Sequence, residues 1–227
     1  MSEKIYAVAI DGPGGAGKST IARAIARELG ILYVDTGAIY RTVGYHVYLR
    51  GQQPSDAAAV IALLPETKIE MSYGDDGLQR MYLNGEDVTD KIRLPEMSLY
   101  ASQVSAIPEV RTFLMEMQRS CARKSSVVMD GRDIGTVVLP DAQVKIFLTA
   151  DVNERAKRRY KELLERGTPA DFNKLLEEIK QRDYRDSHRD TAPLRPAEDG
   201  VIVDTTNLDF AQSCEKILNI IKERIGV

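Results

Sequence analysis

The octapeptide Gly12-Pro13-Gly14-Gly15-Ala16-Gly17-Lys18-Ser19 constrains this chain more than any other stretch. An apolar, partly β-branched run over residues 5–10 precedes it. After it, apolar residues return at helical spacing (Ile21, Ala22, Ile25, Ala26, Leu29) and stop at Gly30. The pattern G-x-x-x-x-G-K-[ST] set between strand and helix is a phosphate cradle. Its glycines let backbone N–H groups turn inward around an anion with no Cβ in the way. The helix start adds partial positive charge. Lys18 is placed to bridge the β- and γ-phosphates of a nucleoside triphosphate, and the Ser19 hydroxyl to ligate Mg²⁺. The plainer alternative is a glycine-rich turn with a surface lysine.

The rest of the chain repeats the strand–helix rhythm. Residues 31–34, 126–129, 144–148 and 201–203 are short, continuous apolar runs, the signature of strands covered on both faces in a parallel sheet. Amphipathic helical stretches at about 37–50, 109–124, 152–166, 172–188 and 208–225 separate several of them. This order predicts a doubly wound α/β fold. Residues 67–90 break the rhythm: they alternate, turn at Gly74-Asp75-Asp76-Gly77 and alternate again through Met81, Leu83 and Val88, which predicts a small antiparallel hairpin module. Residues 190–200, with Pro193 and Pro196, read as a loop.

Composition excludes several classes. The 227 residues are 43% hydrophobic, enough for a substantial core, and the net charge of −3 gives no global pull towards nucleic acid or an anionic membrane. No run of about 18 apolar residues exists to span a bilayer. The start, Met-Ser-Glu-Lys, lacks the basic and apolar regions of a signal peptide. Cys121 and Cys214 form no C-x-x-C pair and fit reduced thiols in a cytoplasmic protein.

A second set of charged residues points to the acceptor of the phosphoryl group. Bringing two polyanions together needs more cations than one lysine and one metal ion. Thr36 stands where a helix cap is expected, with Arg41 about a turn beyond; an ordinary cap with a solvent-facing arginine is the alternative. Asp130 ends a buried strand, the edge where ligands gather in open α/β sheets, and can reach the Mg²⁺ shell through water. Arg132 and Asp133 follow Gly131; an Asp-Gly turn with an exposed ion pair is the alternative. In the 172–189 helix, the apolar stripe Phe172, Leu175, Leu176, Ile179 continues onto Arg182, Asp183, Asp186 and Arg189. A core-facing stripe that turns charged needs a ligand or partner, unless the helix end simply emerges into solvent. Arg155, Arg159 and Arg166 share one face of the preceding helix, as in a basic flap over the γ-phosphate, or in a solvated helix with local ion pairs. Residues 151–195 hold 12 of the 31 lysines and arginines but also 10 acids, a balance that suits a lid and not a nucleic-acid groove. His46 is expected to be structural; His188 has no assigned role.

These residues resemble the bacterial-type cytidylate kinases, within the nucleoside monophosphate kinases. The likeness rests on residues 12–19, Asp35-Thr-Gly-Ala-Ile-Tyr-Arg41, Ala101-Ser102-Gln103-Val104, Asp130-Gly-Arg-Asp-Ile-Gly-Thr136, Val144-Lys-Ile-Phe-Leu148 and the span from Arg182 to Pro193. It implies a P-loop NTPase-type parallel sheet flanked by helices, with a small antiparallel monophosphate-binding insertion and a short helical lid. The implied division is a core domain over 1–35 and 103–227, with the lid at about 151–190, and a nucleoside monophosphate-binding domain over 36–102. ATP is implied to bind Gly12, Pro13, Gly14, Gly15, Ala16, Gly17, Lys18, Ser19 and Thr20. The CMP site is implied at Thr36, Arg41, Ser102, Arg111, Arg132, Asp133, Asp186 and Arg189. Lys18, Arg132, Arg159 and Arg182 are the implied catalytic cations, and Mg²⁺ the implied cofactor, at Ser19 and, through water, Asp130. The expected activity is ATP-dependent phosphorylation of CMP and dCMP by a cytoplasmic monomer that binds neither nucleic acid nor membrane. From the residues alone, other small acceptors (dephospho-coenzyme A, shikimate, UMP) and a slowly hydrolysing nucleotide switch stay open.

Overall fold

The structure, a computed structural model, describes residues 5–165 and 167–226. Arg166 lies outside the described residues, as do the first four, on which the signal-peptide expectation rests. The chain forms two compact units. One runs up to Leu32 and resumes at Ser125; the other is Tyr33–Lys124.

A five-stranded sheet draws β1 (Ala7–Asp11), β6 (Val127–Gly131), β7 (Val144–Thr149) and β8 (Val201–Asp204) from the first unit, while β2 (Leu32–Asp35) starts at Leu32 and has its remaining residues in the Tyr33–Lys124 stretch. The strand order is β2-β6-β1-β7-β8. β1 pairs in parallel with β6 and β7, and β7 in parallel with β8. Burial follows position in the sheet. Every residue of β1 and β6 is buried, β7 alternates, and edge strand β8 buries only Val203. Fully buried side chains such as Ile10 and Leu148 each contribute about 1.5–3 kcal/mol relative to exposure. β1 runs one residue beyond the expected 5–10 run and starts two residues later, because its last member, Asp11, is buried by hydrogen bonds and not by hydrophobicity.

Among the described residues, four helices belong to the first unit. α1 (Lys18–Leu29) buries Ile21, Ala22, Ile25 and Ala26 and ends at Gly30, whose left-handed φ of 66° lets its N–H reach the carbonyls of Ala26 and Arg27. α6 (Val152–Glu165) and α7 (Phe172–His188) pack together, and α8 (Phe210–Ile225), opened by an Asp209–Gln212 capping box, packs on α1 and β7. Between β6 and β7 lies a π-turn, residues Ile134–Val138, in which the N–H groups of Val138 and Leu139 reach back five residues to Asp133 and Ile134.

In the Tyr33–Lys124 unit, helices α2 (Thr36–Leu49), α3 (Ala57–Leu63), α4 (Met97–Val104) and α5 (Pro108–Lys124) accompany a three-stranded antiparallel sheet of β3 (Ile69–Tyr73), β4 (Gln79–Leu83) and β5 (Glu86–Asp87). The expected hairpin is therefore present with a third, two-residue strand added. α2 and α4 cross closely at Gly44: a Cβ there would lie 2.8 Å from the Tyr100 Cβ. His46 is structural, its Nδ1 2.7 Å from the Thr67 hydroxyl in the core.

Candidate active site

The phosphate loop leaves β1 at Gly12, whose φ is 147°; a Cβ there would stand 1.9 Å from the Leu148 carbonyl oxygen. No other residue fits so close a pass of the loop along β7. Gly17, at φ 87°, precedes α1, and its side-chain-free cap leaves the first N–H groups of the helix without an internal acceptor. Lys18 is buried and its Nζ donates to the Pro13 carbonyl across the loop at 2.7 Å. Burial, then the positive charges of Arg132 and Arg182, hold its pKa well below the usual lysine value, against the pull of Asp130 and Asp11. Ser19 donates to Asp130 Oδ2 at 2.9 Å.

Asp130 lies within β6, which continues through Gly131, and is 4% exposed. This removes the alternative of an exposed Asp-Gly turn. Arg132 and Asp133 then turn towards α7. Arg132 Nε donates to Asp186 Oδ2 at 2.9 Å, and Arg189 Nη2 donates to Asp133 Oδ1 at 3.2 Å. Arg189 also donates from Nε to the Ala192 carbonyl at 2.7 Å. The charged continuation of the α7 stripe therefore meets partners inside the unit, with Asp186 buried. Burial opposes ionisation of Asp186. The Arg132 and Arg182 charges and the Arg132 hydrogen bond outweigh burial, so its pKa falls below the usual carboxylate value.

The guanidinium groups gather at the phosphate loop. A Cβ placed on Gly14 would lie 3.6 Å from Arg132 Nη2 and 3.8 Å from Arg182 Nη1. Lys18, Arg132 and Arg182 thus surround one stretch of loop backbone, an arrangement that favours a ligand carrying several negative charges.

Two residues change role. Arg155, expected on the face of a basic flap, is 5% exposed and committed to the scaffold. Its guanidinium donates to the Ala150 and Gly14 carbonyls, both at 2.9 Å, and pairs with Asp183 at 2.6 Å. Arg155 thereby braces the phosphate loop from behind. Thr36 is not the cap of α2; Asp35 is, its Oδ1 accepting from the Ala38 N–H at 2.9 Å, and Thr36 is the first helical residue. A carboxylate at the position before the first helical residue faces the free N–H groups of the first turn, which the side chain of a residue already inside the turn does not. Arg159 pairs with Glu162 along its own helix at 2.8 Å. His188 stacks on Tyr184 at 4.0 Å, exposed on α7.

In the Tyr33–Lys124 unit, Asp35 and Arg41 form a 2.9 Å ion pair at the start of α2. Burial raises the Asp35 pKa, but the Arg41 charge and the Ala38 N–H more than reverse it, leaving the carboxyl ionised below its usual range. Ser102 and Thr36 are buried. Arg111, 3% exposed, donates to the Ser105 carbonyl at 3.2 Å, with its guanidinium carbon 5.8 Å from the Tyr40 ring centroid.

Asp11 is the functional-site residue that sequence reasoning passed over. Its two carboxylate oxygens accept the Ile134 and Gly135 N–H groups, each at 2.7 Å, and so fix the π-turn that follows Arg132 and Asp133. Burial pushes its pKa up to about 7 although these two N–H groups pull it down. The available signal was an acid closing an apolar strand directly before the glycine loop.

Ser19 and Asp130 offer adjacent hard oxygens, which suit Mg²⁺, an ion that keeps waters and shares substrate phosphates. Among the described residues no group of three or more His, Cys, Asp and Glu side chains is placed to hold a metal without such help. No helix among them is long and apolar enough to cross a membrane.

The cytidylate kinase family profile matches residues 8–223. The chain is 50% identical over 213 residues to a cytidylate kinase of Caldicellulosiruptor bescii, covering 94% of each protein. It is 49% identical over 219 residues to that of Caldicellulosiruptor saccharolyticus, covering 96% of each. A crystal structure of an uncharacterized protein from Eubacterium ventriosum matches at TM-score 0.54 and 14% identity over 96% of this chain and 98% of the other, a likeness of fold. Phosphate loop, arginine cluster and these matches agree: the chain belongs to the cytidylate kinase family.

Proposed function

We propose that the protein transfers the γ-phosphoryl group of ATP to CMP, and to dCMP, giving ADP and the corresponding diphosphate. The observation that most supports this is the placement of Arg132 and Arg182 beside Gly14 of the phosphate loop. A nucleotide hydrolase acting on water needs one anion cradle; a kinase whose acceptor is a phosphate needs extra cations where the anions meet.

ATP lies along the loop from Gly12 to Thr20. The backbone N–H groups at the start of α1 and the Lys18 ammonium hold its β- and γ-phosphates. Its negative charge favours the protonated form of Lys18, against burial and the neighbouring guanidiniums, which lower the lysine pKa. Ser19 and Asp130 would hold Mg²⁺, which when bound neutralises phosphate charge and orients the β- and γ-oxygens.

The acceptor phosphate is held by Arg41, Arg132 and Arg189. Ser102, Arg132, Asp133 and Asp186 take the cytosine and sugar, and Thr36 and Arg111 complete the acceptor set. An oxygen of the CMP phosphate attacks the γ-phosphorus in line. The new P–O bond forms as the bond to the β,γ-bridging oxygen breaks, and ADP leaves with the electron pair. The acceptor is already anionic, so no side chain serves as a covalent nucleophile. Arg182 and Arg159 stabilise the transferring group. Arg159 must exchange its Glu162 partner for the phosphoryl oxygens, as a lid residue does on closing. The protein acts as a monomer in the cytoplasm, a setting that suits the free thiols of Cys121 and Cys214.

A coupled assay of ADP release over CMP, dCMP, UMP, AMP, shikimate and dephospho-coenzyme A tests this. The expected result is release that depends on acceptor and is fastest with CMP or dCMP. ADP release indifferent to acceptor would point to a nucleotide switch, and preference for a non-nucleotide acceptor would reject the substrate assignment.

A further inference from the structure

The antiparallel sheet of the Tyr33–Lys124 unit grips the chain just before α2. Gln79, the first residue of β4, is 8% exposed. Its Oε1 accepts the Asp35 N–H at 2.8 Å, and its Nε2 donates to the Asp35 carbonyl at 3.2 Å. The side-chain amide makes with Asp35 the pair of bonds that a neighbouring strand residue would make. Tyr73, the antiparallel partner of Gln79, adds a second hold, its hydroxyl donating to the Tyr33 carbonyl at 2.9 Å.

Asp35 passes this constraint on. One carboxylate oxygen caps α2 at the Ala38 N–H and the other takes Arg41 Nη2. There is little slack: a Cβ on Gly37 would sit 3.0 Å from Asp35 Oδ1 and 3.1 Å from Arg41 Nη1. Arg41 Nε is buried without a hydrogen-bond partner, a donor held ready for a ligand.

We propose that Gln79 is a positioning residue for the acceptor site: it holds the Asp35 backbone so that the Asp35 carboxylate aims the Arg41 guanidinium at the acceptor phosphate. This rests on the assignment of Arg41 to that phosphate. It gives the small sheet a task in catalysis beyond filling out the unit. A guanidinium displaced by about 1 Å loses much of its value to a reacting phosphate.

The test is steady-state kinetics, varying CMP and ATP in turn, on the wild type, Gln79→Leu, Arg41→Ala and the double variant, with thermal melts of each. Arg41→Ala is expected to raise the KM for CMP at least about tenfold, and Gln79→Leu about 5- to 20-fold, with the KM for ATP within about twofold of wild type. The double variant is expected to be no worse than Arg41→Ala, since both changes remove one interaction. A folded Gln79→Leu with an unchanged KM for CMP beside an impaired Arg41→Ala overturns the proposal, as does a Gln79→Leu penalty undiminished in the Arg41→Ala background. An unchanged KM for CMP in Arg41→Ala would instead remove the assignment of Arg41 on which the proposal stands. Should Gln79→Leu not fold, Tyr73→Phe, which deletes one hydroxyl on the same backbone, is expected to raise the KM for CMP about threefold in the wild type and not in Arg41→Ala. No rise would overturn the proposal equally.

Discussion

The Ser19 hydroxyl donates to the Asp130 carboxylate across 2.9 Å, tying the start of α1 to the end of β6. Two oxygens that lie 111 residues apart in the chain become one locus because β1 and β6 are parallel neighbours in register from Ala7↔Val127 to Asp11↔Gly131. The loop after β1 and the last residues of β6 must then emerge at the same sheet edge.

That pairing predicts a metal phenotype. Asp130→Asn keeps the shape and removes the charge. It is expected to lower kcat about 10²- to 10³-fold and to raise the Mg²⁺ concentration for half-maximal rate several-fold. Rates measured across a Mg²⁺ titration check it. An unaltered Mg²⁺ dependence would place the ion elsewhere.

Arg155 and Arg159 sit one helical turn apart on α6 and should behave differently. Arg155→Ala strands the Asp183 carboxylate and frees the Gly14 carbonyl, which is expected to cost about 3–5 kcal/mol of stability. Arg159→Ala removes a partly exposed pair, so stability should change by less than about 0.5 kcal/mol while kcat falls. Urea denaturation beside kinetics separates the two. Equal destabilisation by both substitutions would contradict the assignment of Arg155 to the scaffold.

Asp186 predicts the direction of acid sensitivity. Its pKa in the folded state lies below the ordinary 3.8 because Arg132 and Arg182 overcome the effect of burial. The unfolded chain therefore takes up the proton first as pH falls. The stabilisation from ionised Asp186 is complete above about pH 5 and disappears as pH drops through the folded value. Unfolding at several pH values should show the wild type more stable than Asp186→Asn near neutrality, with the gap closing below pH 3.8. A gap that widens on acidification would mean that the carboxyl is not held by its arginines.

Gly44 predicts a packing limit. A methyl group there would meet the Tyr100 Cβ at 2.8 Å, inside van der Waals contact, with the Ala101 N at 3.3 Å behind it. Gly44→Ala is expected to destabilise by about 1–3 kcal/mol, despite alanine's better helix propensity. A melting temperature at or above that of the wild type would show that α2 and α4 can move apart freely.

Features carried by local pattern were legible in the sequence. The glycine loop, the continuous apolar strands and the periodic stripes of α1, α7 and α8 each write a period or a turn preference into a few neighbouring residues. The periodicity of α7 gives its observed bounds, and the charged continuation of its stripe onto Asp183, Asp186 and Arg189 meets ion-pair partners. Short elements were not legible. α3 and α4 have seven and eight residues, too few turns for a periodicity to stand out, and the π-turn at Ile134–Val138 depends on the distant Asp11 carboxylate. The role of Arg155 was also hidden, because helical spacing gives the face of a side chain and not the Gly14 carbonyl waiting opposite it. The capping role of Asp35 is hidden for a related reason: its backbone is held by Gln79, 44 residues away.

The most direct measurement is a crystal structure with CMP bound. The acceptor phosphate is expected within hydrogen-bond reach of the Arg41, Arg132 and Arg189 guanidiniums, with an oxygen directed at the phosphate loop. CMP density absent from those arginines, or a phosphate facing solvent while its base fills their place, would contradict the account.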